Sequence, residues 1–259
     1  MTRYSSIAAL LFASLLAACG TKEVQSLTGT DPHARVRFFN FGVNAPGVNF
    51  YANETKMTAI QSTTGTESTA GIAYGGVGAG GAYSTIDPGQ YALTGKIAAA
   101  TDKDLAISSV NTTIEDGKYY SFYMSGIYNT TTKNVEGFVV EDNFAIPTDT
   151  TLATVRFVHA ISNANPMTLY AKSTVTAVET AVGPEVAYKG AGAFVTLPAG
   201  VYDLSTRYTG SSTNVLTRPA VSFVARKVYT ITARGDITVA PSTVCAATNR
   251  TCLDNTANR

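Results

Sequence analysis

Residues 34–53 read ARVRFFNFGVNAPGVNFYAN, and residues 153–172 read ATVRFVHAISNANPMTLYAK. The two stretches align without gaps and share eight of twenty residues: Ala34, Val36, Arg37, Phe38, Asn44, Ala45, Tyr51 and Ala52 recur as Ala153, Val155, Arg156, Phe157, Asn163, Ala164, Tyr170 and Ala171. The correspondence continues in order. Ala73-Tyr74 matches Ala187-Tyr188, Gly89-Gln90-Tyr91-Ala92-Leu93 matches Gly200-Val201-Tyr202-Asp203-Leu204, and Lys118-Tyr119-Tyr120 through Gly126 matches Lys227-Val228-Tyr229 through Gly235. Collinear matches at similar spacing point to a duplicated domain.

Each copy has strand chemistry. One face of the 119–125 segment carries Tyr120, Phe122 and Met124, and its counterpart carries Tyr229, Ile231 and Ala233. That is a period of two in residues that favour a pleated, half-buried surface. Asp87-Pro88-Gly89 and Pro198-Ala199-Gly200 are turn signals leading into the Tyr-x-Leu strands. Beyond residue 18 no stretch carries a 3.6-residue apolar stripe of helical length. The expectation is an all-β chain of two tandem antiparallel β-sandwich domains, immunoglobulin-like or transthyretin-like, with a barrel as the alternative. The first domain is expected over 34–145 and the second over 153–240. Ile146 to Thr150 reads as a short linker, and 241–259 as a polar C-terminal tail.

The N-terminus has a different logic. Arg3 precedes an uncharged apolar run, Ile7 to Ala18. Twelve helical residues rise only about 18 Å, short of the roughly 30 Å hydrocarbon core, so the run fits a signal-peptide core better than a membrane span. It ends Leu16-Ala17-Ala18-Cys19-Gly20, the bacterial lipobox pattern. Residues 1–18 are thus expected to be a signal peptide. Cys19 is expected to carry a diacylglycerol and an N-acyl chain, and 19–33 to be a flexible tether. Several acyl chains hold a protein far more durably than one. Gly20 favours the outer over the inner membrane in a Gram-negative host, because it is not the aspartate that marks inner-membrane retention.

Composition narrows the partners. Without residues 1–18 the chain has 18 basic and 18 acidic side chains, so no basic field attracts nucleic acid. Once Cys19 is lipidated, Cys245 and Cys252 remain, and an oxidising compartment favours a disulfide between them. A metal pair is the rival reading, but no histidine or third cysteine lies nearby to complete a site.

The opening Val-Arg-Phe-Val-His-Ala at 155–160, the Leu-Tyr of Leu169-Tyr170, Pro198-Ala199-Gly200-Val201-Tyr202-Asp203-Leu204, and the late Lys227-Val228-Tyr229-Thr230-Ile231 strand ending at Gly235 resemble the domain of unknown function 4397. That family occurs in exported bacterial proteins, often in tandem and behind lipoprotein signals. Domain two fits the pattern better. In domain one Asn40 stands in the position of His159, and a Gly-rich insertion interrupts the match. The resemblance implies a β-sandwich and no established activity.

Candidate site residues are few. His159 is the one histidine inside a domain, with Asp203 or Glu185 as partners if it acted as a base or ligand; at a strand end, an imidazole more often bonds turn backbone. Gly76 to Gly81 formally contains G-x-G-x-x-G, but strand and turn chemistry follows it rather than the helix a dinucleotide site requires. The acidic pairs Asp102/Asp104 and Glu141/Asp142 lack calcium-loop spacing. Tyr119 and Tyr123 share the face opposite the core face, and Tyr128 follows; with Tyr74 and Tyr83 around the Gly-rich loop they offer a candidate surface for glycan or protein. The alternative is that this face packs against domain two or the loop. The functional expectation is a non-catalytic, lipid-anchored envelope protein with a structural or surface-binding role and no cofactor. A carbohydrate-binding module is the alternative, and an envelope hydrolase centred on His159 is a third reading.

Overall fold

The computed structural model describes residues 33–60, 62–245 and 251–258. The expected signal peptide, Cys19 and the expected tether up to residue 32 lie outside them. The first copy contributes β1 (Ala34–Val43), β2 (Val48–Ala52), β3 (Thr55–Lys56), β4 (Ser84–Ile86), β5 (Gly89–Ile97), β6 (Ala106–Ile114), β7 (Tyr119–Ile127) and β8 (Gly137–Glu141). The second contributes β9 (Leu152–Ala160), β10 (Met167–Ser173), β11 (Glu179–Ala181), β12 (Val195–Pro198), β13 (Gly200–Tyr208), β14 (Leu216–Phe223), β15 (Val228–Arg234) and β16 (Cys252–Ala257).

The duplication is complete at the level of topology. Sheet order β4-β1-β7-β8 over β3-β2-β5-β6 in the first copy becomes β12-β9-β15-β16 over β11-β10-β13-β14 in the second. Pairing is antiparallel except for β1 with β7 and β9 with β15, which run parallel. Register is also shared: Val36 lies opposite Tyr120, and its sequence counterpart Val155 lies opposite Tyr229. Each copy is a sandwich of two four-stranded sheets.

Inside the first sandwich Phe38, Phe50 and Phe122 meet, with ring centroids 5.2 Å apart for Phe38 and Phe50 and 5.7 Å apart for Phe50 and Phe122. Inside the second, Phe157, Leu169, Ile231 and Phe223 are buried together. A third apolar cluster joins Phe39, Phe41, Tyr123 and Phe138 of the first copy to Val158 and Ala160 of the second. It explains why β1 and β9 are buried along nearly their whole length: one face lines the sandwich core and the other lines the facing sheet of the other copy. Strands covered on both faces lose polar alternation, hence Phe-Phe-Asn-Phe in β1.

The two facing sheets run in the same direction. Arg37, early in β1, meets the end of β16, which lies beside the start of β15, while Ser125, late in β7, donates to Ala160 O at the end of β9, 2.8 Å away. The copies are therefore related by a pseudo-two-fold axis along the strands. The beginnings of β1 and β9 lie at one end of the body.

One boundary differs from the sequence reading. The stretch expected to be tail supplies β16, which completes the outer edge of the second sandwich against β15 and buries Leu253 in its core. Cys245 and Cys252 are joined by a disulfide, Cα atoms 5.5 Å apart, that pins the start of this strand.

Candidate functional site

The buried polar chemistry of the described residues gathers in the seam between the copies. Arg37 and Arg156 are aligned in sequence, sit on the outward faces of β1 and β9, and are each only 1% exposed. The Arg37 guanidinium lies 4.4 Å from the Tyr83 ring centroid, and Arg156 lies 4.5 Å from that of Phe194, the residue immediately preceding β12 as Tyr83 immediately precedes β4. Each then crosses to the other copy. Arg37 Nη1 donates to Ala257 O at 2.9 Å, and Arg156 Nη1 donates to Glu141 O at 3.0 Å. Glu141 and Ala257 are equivalent too, being the partners of Tyr120 and Tyr229 at the ends of β8 and β16.

The next residue in each copy breaks the symmetry in charge. In the first copy it is Asp142, whose side chain is 0% exposed and ion-paired to Arg156 Nη2. Its other oxygen accepts from Ser121 Oγ and from Tyr83 Oη, both at 2.6 Å. In the second copy it is Asn258, which accepts from Thr230 Oγ1 at 2.8 Å and donates to Tyr83 Oη at 3.0 Å. Thr230 in turn accepts from Arg156 Nε at 3.1 Å. The buried carboxylate thus has a cation and two hydroxyl donors, which a desolvated charge requires. Burial, and then the adjacent Asp142 charge, push the Tyr83 hydroxyl well above the ordinary phenol range, so it remains a donor.

At the other end of the seam Arg234 is 2% exposed. Its Nε donates to Asp254 at 2.7 Å, and its guanidinium lies 4.8 Å from the Tyr74 ring and 5.2 Å from that of Phe41. Gly75 beside it has φ +81°, and a Cβ there would come within 2.9 Å of Arg234 Nη2. In the other copy the equivalent of Arg234 is Ser125, and the smaller side chain lets Lys189 occupy the same left-handed turn with φ 67°.

The tyrosines do not form one exposed surface. Tyr123 is 0% exposed and stacks between Phe39 at 4.6 Å and Phe138 at 5.0 Å in the seam. Tyr74 is buried against Arg234, and Tyr83 is committed to the Asp142 network. Tyr119 is half-buried between Tyr83 and Phe144, and Tyr128 packs against the first core. The packing alternative for this face is what the fold adopts, because the face opposite the core meets the second copy. What sequence reading passed over was the arginine of Val-Arg-Phe. A charge repeated on the outward face of an otherwise apolar strand was the available signal.

His159 is fully buried and has both ring nitrogens engaged: Ile161 N–H donates to Nδ1 at 3.2 Å, and Nε2 lies 3.1 Å from Asn165 O. The bonding places the proton on Nε2. Asn40 does the same work in the first copy, accepting from Gly42 N–H at 3.2 Å and donating to Ile72 O at 2.7 Å. Both residues tie a strand end to the loop that crosses it. Burial lowers the His159 pKa from its ordinary value. Neither Asp203 nor Glu185 joins it; Asp203 accepts from Ala220 N–H.

The Gly-rich segment lies along β1, bridging Phe39 at Val77, and leads through a short 3-10 turn, Gly78–Gly81, into β4. No helix follows to face a pyrophosphate. Asp102 pairs with Lys133 at 2.7 Å, and Asp104 accepts from Tyr51 at 3.3 Å. Among the described residues no three His, Cys, Asp or Glu side chains come together as a metal site.

Two copies of an eight-stranded sandwich, closed on each other through a polar seam, define a tandem-repeat all-β protein. The chain belongs to the family described as domain of unknown function (DUF4397), matched over residues 34–170 and 153–257. No protein of curated function matches it. Among solved structures it is similar to the Bacillus anthracis TIE protein, at 13% identity and TM-score 0.25 over 79% of this chain and 34% of that one. It is also similar to two proteins described as candidate cell adhesion proteins. The Bacteroides eggerthii protein has 9% identity and TM-score 0.22 over 88% of this chain and 95% of that one. The Bacteroides ovatus protein has 11% identity and TM-score 0.21 over 88% of this chain and 96% of that one. The chain spans about a third of the Bacillus anthracis protein's length.

Proposed function

We propose that this is a non-catalytic, lipid-anchored cell-envelope protein whose two sandwiches act as one rigid body in a structural or surface-binding role. The observation that carries the reading is the seam. The repeated arginines and most of the candidate tyrosines are spent on holding the copies together, which is what a scaffold needs. The Leu16-Ala17-Ala18-Cys19 lipobox supports the anchor, and the Cys245–Cys252 disulfide supports an oxidising compartment. Fractionation of cells expressing the native chain and Cys19→Ser tests it. The native protein is expected in the membrane pellet, released only by detergent, and the variant in the soluble fraction; equal membrane retention of the variant would refute the anchor.

A specific surface favours carbohydrate binding as a second reading. Gln90, Asn111, Thr113 and Asn53 line a groove on the outer face of β5 and β6 with neutral amides and hydroxyls. Such groups suit sugar hydroxyls better than charged ligands. A glycan array with the native protein and a Gln90→Ala/Asn111→Ala variant tests it; binding lost in the variant supports the reading, and no binding by the native protein removes it.

A further inference from the structure

The connection between β10 and β11 is longer and more apolar than its counterpart in the first copy. There the turn between β2 and β3 is Asn53-Glu54, two polar residues. In the second copy the hairpin tip is Thr174-Val175-Thr176-Ala177-Val178. It is an ordered turn: Ser173 O accepts from Ala177 N–H at 2.9 Å, and Ser173 Oγ accepts from Thr176 N–H at 3.2 Å. The result is a Val175 that is 88% exposed and a Val178 that is 61% exposed. Folding gains nothing from valines held in water at a tip where the other copy uses polar residues.

These side chains converge with others. Val175, Val178 and Val201 line one cleft of about 310 Å³ with Pro198, Ala199 and Tyr202. The neighbouring connection from β14 to β15 reads Val224-Ala225-Arg226-Lys227, with Val224 53% exposed and both cations exposed. The equivalent connection in the first copy is acidic, Glu115-Asp116-Gly117-Lys118. Single exposed valines need no explanation, but an apolar patch rimmed by cations marks a contact surface.

The position of the patch selects the partner. It is formed where β10 ends and β13 begins, at the end of the body where β9 and β1 begin. Residue 33, through which the chain from Cys19 joins β1, is at that same end. The fourteen residues from Gly20 to His33 reach at most about 50 Å when extended. A lipid on Cys19 therefore links the body to the bilayer through this end, with the patch within the tether's reach. We propose that the β10–β11 tip, with Val175, Val178, Val201 and the adjacent Arg226 and Lys227, is a second membrane contact that seats the body on the lipid surface. The valines are placed at the acyl boundary and the cations at anionic headgroups. This inference rests on the lipid-anchor reading above.

The test uses the full lipidated protein in phosphatidylcholine vesicles containing a minor fraction of phosphatidylglycerol. With Cys19 acylated and Cys245 bonded to Cys252, Val175→Cys is the single free thiol and accepts an environment-sensitive fluorophore. Val175 is exposed, so the change leaves the core packing untouched. Thr131→Cys, in the exposed turn between β7 and β8 at the opposite end, is the control. Quenching by a bilayer-embedded nitroxide is expected to be severalfold stronger at 175 than at 131, and to fall when Val178→Asp and Arg226→Glu are added. Protein that floats with the vesicles but shows equal, weak quenching at both sites would overturn the inference and leave the anchor standing. Protein that does not float would overturn both.

Discussion

Arg37 and Arg156 occupy the same position in the two copies, and each donates Nη1 to the carbonyl that ends the other copy's eighth strand. The exchange is reciprocal, as in an isologous dimer, but a single chain carries both halves. Duplication freed each half to specialise. Asp142 in the first copy faces Asn258 in the second, so only Arg156 is paired with a buried charge.

That asymmetry predicts unequal costs. Arg156→Met leaves Asp142 buried without its cation and is expected to cost about 3–5 kcal/mol, the range for breaking a buried ion pair from one side. Arg37→Met removes bonds to neutral acceptors only and is expected to cost about 1–2 kcal/mol. Adding Asp142→Leu to Arg156→Met should recover much of the loss. Urea unfolding of the three variants beside the native protein measures this, and equal costs for the two arginines would contradict the assignment.

Tyr123→Ala is expected to destabilise by about 3–5 kcal/mol, because its ring fills the seam between Phe39 and Phe138. Tyr128→Ala should cost clearly less, since that ring is only partly buried. Thermal melts separate the two. A Tyr123 variant with native stability would mean that the seam is open.

His159 supplies a pH dependence. Its pKa is lowered in the fold, so the unfolded chain takes up the proton first as pH drops. Stability is unaffected well above the ordinary value of 6.5 and is lost as pH falls below it. His159→Asn, which copies Asn40, is expected to keep the strand-end bonds and show a smaller decrease in Tm between neutral and mildly acidic buffer. Parallel slopes for both proteins would contradict the role given to burial.

Reduction of the disulfide should act on β16 first. A loop of about eight residues is worth about 2.5 kcal/mol of chain entropy, and β16 is an edge strand held by one neighbour. Hydrogen exchange of Cys252–Ala257 is expected to accelerate in Cys245→Ser/Cys252→Ser before exchange in β9 changes. Uniform acceleration throughout the second sandwich would count against this order.

Much of this architecture was legible in the sequence. The aligned Ala-x-Val-Arg-Phe segments, the Tyr-x-Leu strands and the alternation of Tyr120, Phe122 and Met124 carry the strands and the duplication. The fate of β16 was not legible, because Cys-Leu-Asp-Asn-Thr-Ala has one core side chain, Leu253, and is held by its ladder to β15. Nor was the seam. Period-two alternation separates two faces of a strand but does not say whether the second face meets water or another sheet. Tyr123 and Ser121 look like a solvent-facing pattern until the second copy is placed against them. The insertion of valines at the β10–β11 tip is visible only once the copies are compared hairpin by hairpin.

Two copies that form one folding unit through the Arg37–Arg156 seam must unfold together. Differential scanning calorimetry of the protein tests this most directly. The account predicts one transition whose van't Hoff and calorimetric enthalpies agree, still single after proteolytic cutting at a site placed between Ile146 and Thr150 with the halves remaining associated. Two resolved transitions in the uncut protein, each with the enthalpy of one sandwich, would contradict it.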